Sequence, residues 1–197
     1  PQGEAARYLT QTRGLAVDEH FGELTPQSIQ RAVEGLKLRG KTYNAADFAA
    51  LGLTAERADR GYNLVIPYYR NGSVVGFLFR NVKATHNGPK YLFSQGLTRG
   101  GYCDRLTVGE PAVFVEGEID AVRLTQSGVA NVVAMGNAKM TEATAKLLKS
   151  RNVSQITYVP DLEFDAEGKQ RTNLIQQAID GFLAATVDGE RVVNNLY

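Results

Sequence analysis

The sequence predicts an α/β fold, a mainly parallel sheet flanked by helices, preceded by a smaller α+β lobe rich in basic residues. Three observations carry this prediction. Beyond Pro111, short apolar runs alternate with helical patterns. Upstream, two runs of β-branched and aromatic residues flank Arg70-Asn71-Gly72. Charge also divides along the chain: residues 1–109 hold 14 Lys+Arg against 9 Asp+Glu, and residues 110–197 hold 8 against 12. We therefore expect an N-terminal lobe over 1–109 and a second domain over 110–197.

Taken in order, residues 3–12 read as helix, ended by a turn at Gly14. Thr25-Pro26 supplies an N-cap and a first-turn proline for a helix reaching Leu38, which Gly40 stops. Shorter helices are expected over 45–51 and, capped by Thr54, over 54–59. Residues 62–69 (YNLVIPYY) and 73–82 (SVVGFLFRNV) predict a hairpin, because Asn-Gly accepts the positive φ angles of a two-residue turn. Pro67 cannot donate to a ladder, so this strand should be an edge or irregular there. A short strand is expected at 91–93 within the glycine-rich, basic stretch 84–109.

From Pro111 onward, 112–115 (AVFV), 131–134 (NVVA), 155–159 (QITYV) and 191–193 read as buried strands. The helical patterns lie at 119–127, 141–150 and 169–186. Strands alternating with helices of about ten residues imply βαβ crossovers and a parallel sheet. In such sheets ligands sit at the carboxyl ends of the strands.

Several function classes are excluded. No G-x-x-x-x-G-K-[ST], G-x-S-x-G or G-x-G-x-x-G occurs, and only His20 and His86 are available for histidine chemistry. The single cysteine, Cys103, rules out an internal disulfide and a cysteine-based zinc cluster and fits a reducing cytoplasm. No apolar run approaches a membrane span, so no membrane partner is expected. The opening PQGEAARYL is neither basic nor apolar enough for a signal peptide, and the missing initiator Met suggests a piece of a longer protein. Within 57–105 only Asp59 and Asp104 oppose 8 basic residues, a balance suited to a polyanion; solvated surface charge is the plainer alternative.

The strand ends are the informative places. After AVFV comes Glu116-Gly117-Glu118-Ile119-Asp120, in which Gly117 is expected to permit a sharp turn that leaves Glu116 in the crevice. Asp120 is expected one helical turn from Glu116 on the same face. After QITYV comes Pro160-Asp161-Leu162-Glu163, with Asp161 and Glu163 pointing the same way. Such a cluster repels itself unless a hard divalent cation, Mg²⁺ or Mn²⁺, neutralises it. The implied chemistry is metal-assisted phosphoryl transfer. An acidic residue at a βα turn also serves as a helix cap, which would account for Glu118 or Asp165 alone.

At these residues the sequence resembles a known family. VFVEGEIDAVRLTQSGVANVVAMGN followed by YVPDLEFDAEG is similar to the Toprim fold shared by bacterial DnaG-type primases, topoisomerases and some nucleases. ARYLTQTRG, NLVIPYYRNGSVVGFLFRNV and PKYLFSQG resemble the upstream part of the DnaG-type catalytic core, in the same order. The family's D-x-D reads D-x-E here, and Phe93 stands where its PKYL is followed by asparagine. The resemblance implies that Glu116 is the general acid/base or metal-linked glutamate, that Asp161 and Glu163 bind Mg²⁺ or Mn²⁺, and that Asp120 supports them. It also places Arg80, Lys90 and Tyr91 along a template and nucleotide groove, with Lys83 and Arg99 added as phosphate contacts. Single-stranded DNA template would cross between the lobes, and Tyr68, Tyr69, Tyr91 or Tyr102 would stack bases unless they are core.

The implied function is metal-dependent synthesis of short primers on single-stranded DNA from nucleoside triphosphates, by a cytoplasmic primase-like protein of a plasmid, phage or conjugative element. A replicative helicase would be reached through flanking domains. The alternatives are a Toprim nuclease or topoisomerase-type cleavage module and a non-catalytic nucleic-acid-binding relic.

Overall fold

The computed structural model describes residues 3–40, 42–83, 87–136, 140–153, 155–161 and 193–195. The chain divides into two compact units: Pro1–Tyr68 with Val74–Leu97, and Tyr69–Ser73 with Thr98–Tyr197. The division falls at 97/98, whereas the pattern change in the sequence suggests 109/110. Residues 98–109 explain the difference. Cys103 and Leu106 are buried in one apolar cluster with Ala112, Phe114 and Val133, and Tyr102 bridges Ala134 in antiparallel fashion.

In the first unit, helix α1 (Gly3–Arg7) widens into a π-helical turn over Tyr8–Thr12, closed by the Arg13 N–H donating to the Tyr8 carbonyl at 3.1 Å. Helix α2 (Pro26–Leu38) begins where the sequence predicts. The Thr25 hydroxyl accepts from the Ser28 N–H at 3.0 Å and the Ser28 hydroxyl accepts from the Thr25 N–H at 2.9 Å, satisfying two otherwise orphaned donors. Asn44 and Asp47 form the same reciprocal box at α3 (Ala45–Ala50), and the Thr54 hydroxyl caps α4 (Ala55–Asp59) by accepting the Arg57 N–H.

The sheet here runs β1-β2-β3-β4, with β1 Gly22–Glu23, β2 Leu64–Arg70, β3 Ser73–Arg80 and β4 Tyr91–Phe93. Asn71 (φ 53°) and Gly72 (φ 79°) form the hairpin turn, both left-handed as a type I′ turn demands. β1 pairs with β2 only at Leu64 and Val65. Pro67 therefore lies past that ladder, where a missing N–H on the β1 side breaks no strand pairing. Leu24, Ala58, Tyr62, Val65 and Phe79 form one buried cluster of this unit.

In the second unit the sheet order is β6-β5-β7-β8, all parallel, with β5 Ala112–Val115, β6 Val132–Ala134, β7 Ile156–Val159 and β8 Val193–Asn195. Helix α5 (Glu118–Gln126) joins β5 to β6, and α6 (Glu142–Ser150) joins β6 to β7. β5 reads as an unbroken apolar run, and β7 as one interrupted only by Thr157, because a parallel sheet carries helices on its faces and offers little surface to water. The expected α/β architecture is thus present. The last strand lies two residues later than expected, and the helix expected over 169–186 falls outside the described residues. Among the described residues no helix is long and apolar enough to cross a membrane.

Candidate active site at the strand ends

β5 and β7 are neighbours in parallel register, with Val115 opposite Val159. Their carboxyl ends therefore emerge at one edge of the sheet, and the next residues, Glu116 and Pro160-Asp161, must meet there. They do. Glu116 Oε1 accepts the backbone N–H of Asp161 at 3.2 Å and the Tyr158 hydroxyl at 2.9 Å. The Glu116 backbone carbonyl accepts the Gly136 N–H at 2.8 Å, just past β6. One residue thus ties together the ends of three adjacent strands.

Tyr158 is 3% exposed and packs with Phe114 and Ile156. Burial, and after it the charge of Glu116, the hydrogen bond to Glu116 and the charge of Asp161, push its hydroxyl pKa well above the ordinary phenol value. The group therefore stays a proton donor across the whole neutral range.

Asp120 belongs to this edge for a reason other than the one the sequence suggests. Glu116 precedes Gly117, the N-cap of α5, and is not helical, so the two do not share a helix face. Gly117 sits at φ −102°, ψ 145°, which any residue adopts. Its glycine leaves room for a neighbouring side chain: a Cβ at 117 would stand 2.5 Å from Asp120 Oδ2, so the end of Asp120 would have to move aside. The Asp120 carboxylate folds back over the Gly117 backbone toward the strand end.

Glu118 is not simply a helix cap. Its carboxylate is 0% exposed and receives two bonds from Arg99, Nε to Oε1 and Nη2 to Oε2, each 2.9 Å. The Arg99 side chain, 31% exposed, passes over Gly136, where a Cβ would lie 2.6 Å from its Cγ. Gly136 also has φ 79°, so glycine is doubly required there. Arg99, expected as a phosphate contact, is committed on this side to a buried carboxylate two residues from Glu116.

The remaining basic candidates lie in the first unit. Arg80 on β3 is registered opposite Tyr91 on β4. Its guanidinium carbon lies 4.8 Å from the Tyr91 ring centroid and 5.3 Å from that of Tyr8, and Lys90 Nζ lies 5.8 Å from Tyr91. Arg80 Nε is buried and makes no hydrogen bond among the described residues. Lys83 donates to the Asp59 carbonyl at 2.8 Å. Of the four tyrosines considered for stacking, Tyr68 and Tyr102 are core residues, whereas Tyr69 and Tyr91 are partly exposed.

Glu163 and His86 lie outside the described residues, and among the described residues no group of three His, Cys, Asp or Glu side chains is placed to hold a metal. The donor set still fits a hard cation. Mg²⁺ is commonly held by one or two carboxylates with phosphates completing its shell, and the contact between Glu116 Oε1 and the Asp161 N–H brings two acidic residues to one sheet edge. Sequence reasoning missed Tyr158, whose apolar run QITYV reads only as a buried strand, and the pairing of Glu118 with a residue 19 positions earlier.

A family profile described as Toprim-like matches residues 113–188. The DNA primase of Clostridium acetobutylicum is 30% identical over 145 residues, covering 66% of this chain and 23% of that protein. Among solved structures, the Aquifex aeolicus primase (zinc-binding and RNA polymerase domains) superposes with a TM-score of 0.64 at 23% identity, over 100% of this chain and 50% of that one. The RNA polymerase domain of Mycobacterium tuberculosis primase DnaG gives 0.65 at 23% identity, over 98% and 68%. A DnaG primase catalytic domain bound to single-stranded DNA gives 0.59 at 20% identity, over 100% and 65%. The chain thus spans under a quarter of the curated primase and half of the Aquifex chain.

Proposed function

We propose that this Toprim-domain chain, which resembles the catalytic core of bacterial DnaG-type primases, performs metal-dependent nucleotidyl transfer, making short primers on single-stranded DNA. The observation that carries the reading is the contact between Glu116 Oε1 and the Asp161 N–H, which sets two acidic strand ends side by side. Glu116, Asp161 and Glu163 would hold Mg²⁺ or Mn²⁺, with Asp120 in support. The bound cation supplies charge neutralisation on the nucleotide phosphates. Glu116 takes the proton of the 3′-hydroxyl as that oxygen attacks the α-phosphate of the next nucleotide and pyrophosphate leaves. The same reading takes nucleoside triphosphates as substrates in the cytoplasm, with a replicative helicase engaged through flanking domains.

Template contacts are assigned to Arg80, Lys83, Lys90, Tyr91 and the exposed part of Arg99. Support comes from the Arg80 guanidinium, stacked on Tyr8 and Tyr91 with its buried Nε lacking an acceptor among the described residues. Arg80→Ala and Lys90→Ala should each reduce the slope of log affinity against log salt by about 0.7, the value for one phosphate contact on a single strand. Binding titrations on an oligonucleotide at several salt concentrations check this; an unchanged slope removes that residue from the contact set.

The function is tested by primer synthesis on single-stranded templates with ribo- and deoxynucleotides, in Mg²⁺ and in Mn²⁺. Labelled product dependent on template and metal is expected. Strand cleavage without incorporation would instead identify a nuclease or topoisomerase-type module, and template binding without either activity a relic. In the same assay Gly117→Ala should lower incorporation by about tenfold while leaving the denaturation midpoint near that of the parent. Its φ and ψ suit alanine, and only the mobile end of Asp120 must move aside. Parental activity in this variant removes Asp120 from the site.

A further inference from the structure

We infer that Tyr158 is a positioning residue for Glu116: its hydroxyl fixes the plane of the Glu116 carboxylate and so sets the site's affinity for its divalent cation. The inference rests on the reading of Glu116 as a metal ligand. Two donors, the Tyr158 hydroxyl at 2.9 Å and the Asp161 N–H at 3.2 Å, converge on Glu116 Oε1. A glutamate has three side-chain torsions, and a carboxylate held at a single contact still swings; two donors arriving from one strand end stop the swing and turn Oε1 toward β7. The tyrosine suits the task because its ring is buried in the core. It is 3% exposed and locked among Phe114, Ile156 and Leu148 in the apolar cluster under the sheet edge. Phenylalanine would fill the same space and preserve the packing, so the packing alone does not call for the hydroxyl.

Groups behind a ligand that orient it typically change metal affinity by about 10- to 100-fold when removed. Tyr158→Phe should therefore bind Mn²⁺ about tenfold more weakly in nucleotide-free protein, read from the electron paramagnetic resonance signal of free Mn²⁺ during titration. A ring-fluorinated tyrosine incorporated at 158 keeps the hydroxyl and should restore parental affinity. Glu116→Gln is titrated in parallel. Weakening by both Glu116→Gln and Tyr158→Phe, with rescue by fluorotyrosine, supports the inference. Weakening by Glu116→Gln alone overturns the role of Tyr158 and leaves the metal-site reading intact, as does a fluorotyrosine protein that binds as poorly as the phenylalanine variant. Unchanged Mn²⁺ binding in Glu116→Gln overturns the metal-site reading and the inference together.

Discussion

Asp161→Asn is expected to reduce metal-dependent nucleotide incorporation by more than about 100-fold, beyond the range seen when groups behind a ligand are removed, while the folded state stays at least as stable as the parent. The geometry separates the two effects. Asp161 bonds to Glu116 through its backbone N–H, which asparagine retains. Its side chain is exposed, and the amide matches the carboxylate in size, so no packing is lost. What disappears is one negative charge on the residue whose backbone N–H bonds the Glu116 carboxylate. Without metal two neighbouring negative charges repel, and neutralising one relieves the folded state; with metal the same change would delete a proposed ligand. The signs of the two measurements should therefore oppose each other. Denaturation in chelator should show an unchanged or higher midpoint, and the primer assay should show loss of product. Parental incorporation would end the assignment of Asp161 as a ligand.

The features that carry this prediction were legible in the sequence to different depths. Strand ends and their acids could be read because a buried parallel strand announces itself as a short apolar run, and the first residue after the run sits at the sheet edge. The hairpin could be read because Asn71 and Gly72 tolerate φ of 53° and 79° where other residues resist. The cap at Thr25 was equally local. Features resting on distant partners could not be read. The burial of Glu118 depends on Arg99, and the hydroxyl of Tyr158 finds its partner 42 residues away. The role of Gly117 was misjudged because glycine suggests a backbone angle before it suggests room for a neighbour's carboxylate. The π-helical turn at Tyr8–Thr12 departs from α geometry by a single residue per turn, too little to alter the apolar pattern. Residues 98–109 were placed with the basic lobe because the strand-helix alternation begins only at Pro111, yet Cys103 and Leu106 are apolar side chains buried in the second unit's cluster.

Arg99→Ala is expected to destabilise the second unit by about 3–5 kcal/mol, the usual cost of removing one partner from a buried ion pair. The partners are unequal, which makes the effect directional. Glu118 is 0% exposed while the Arg99 side chain is 31% exposed. Deleting the arginine strands a carboxylate in the interior with both of its bonds from Arg99 gone. Deleting the glutamate leaves a guanidinium that already reaches solvent, so Glu118→Ala should cost less, about 1–3 kcal/mol. Replacing both together, Arg99→Met with Glu118→Leu, removes the uncompensated charge and should recover most of the stability lost by Arg99→Ala. Urea denaturation of the two single variants and the double variant measures all three values. A loss under about 0.5 kcal/mol for Arg99→Ala, the range of ordinary surface substitutions, would mean that the pair does not hold this region. The same set bears on the active site, because Glu118 opens the helix next to Glu116 and the Arg99 stem covers Gly136, whose N–H bonds the Glu116 carbonyl. If the clamp also positions Glu116, the double variant should regain stability without regaining nucleotide incorporation, since leucine and methionine restore burial but not the two directed bonds.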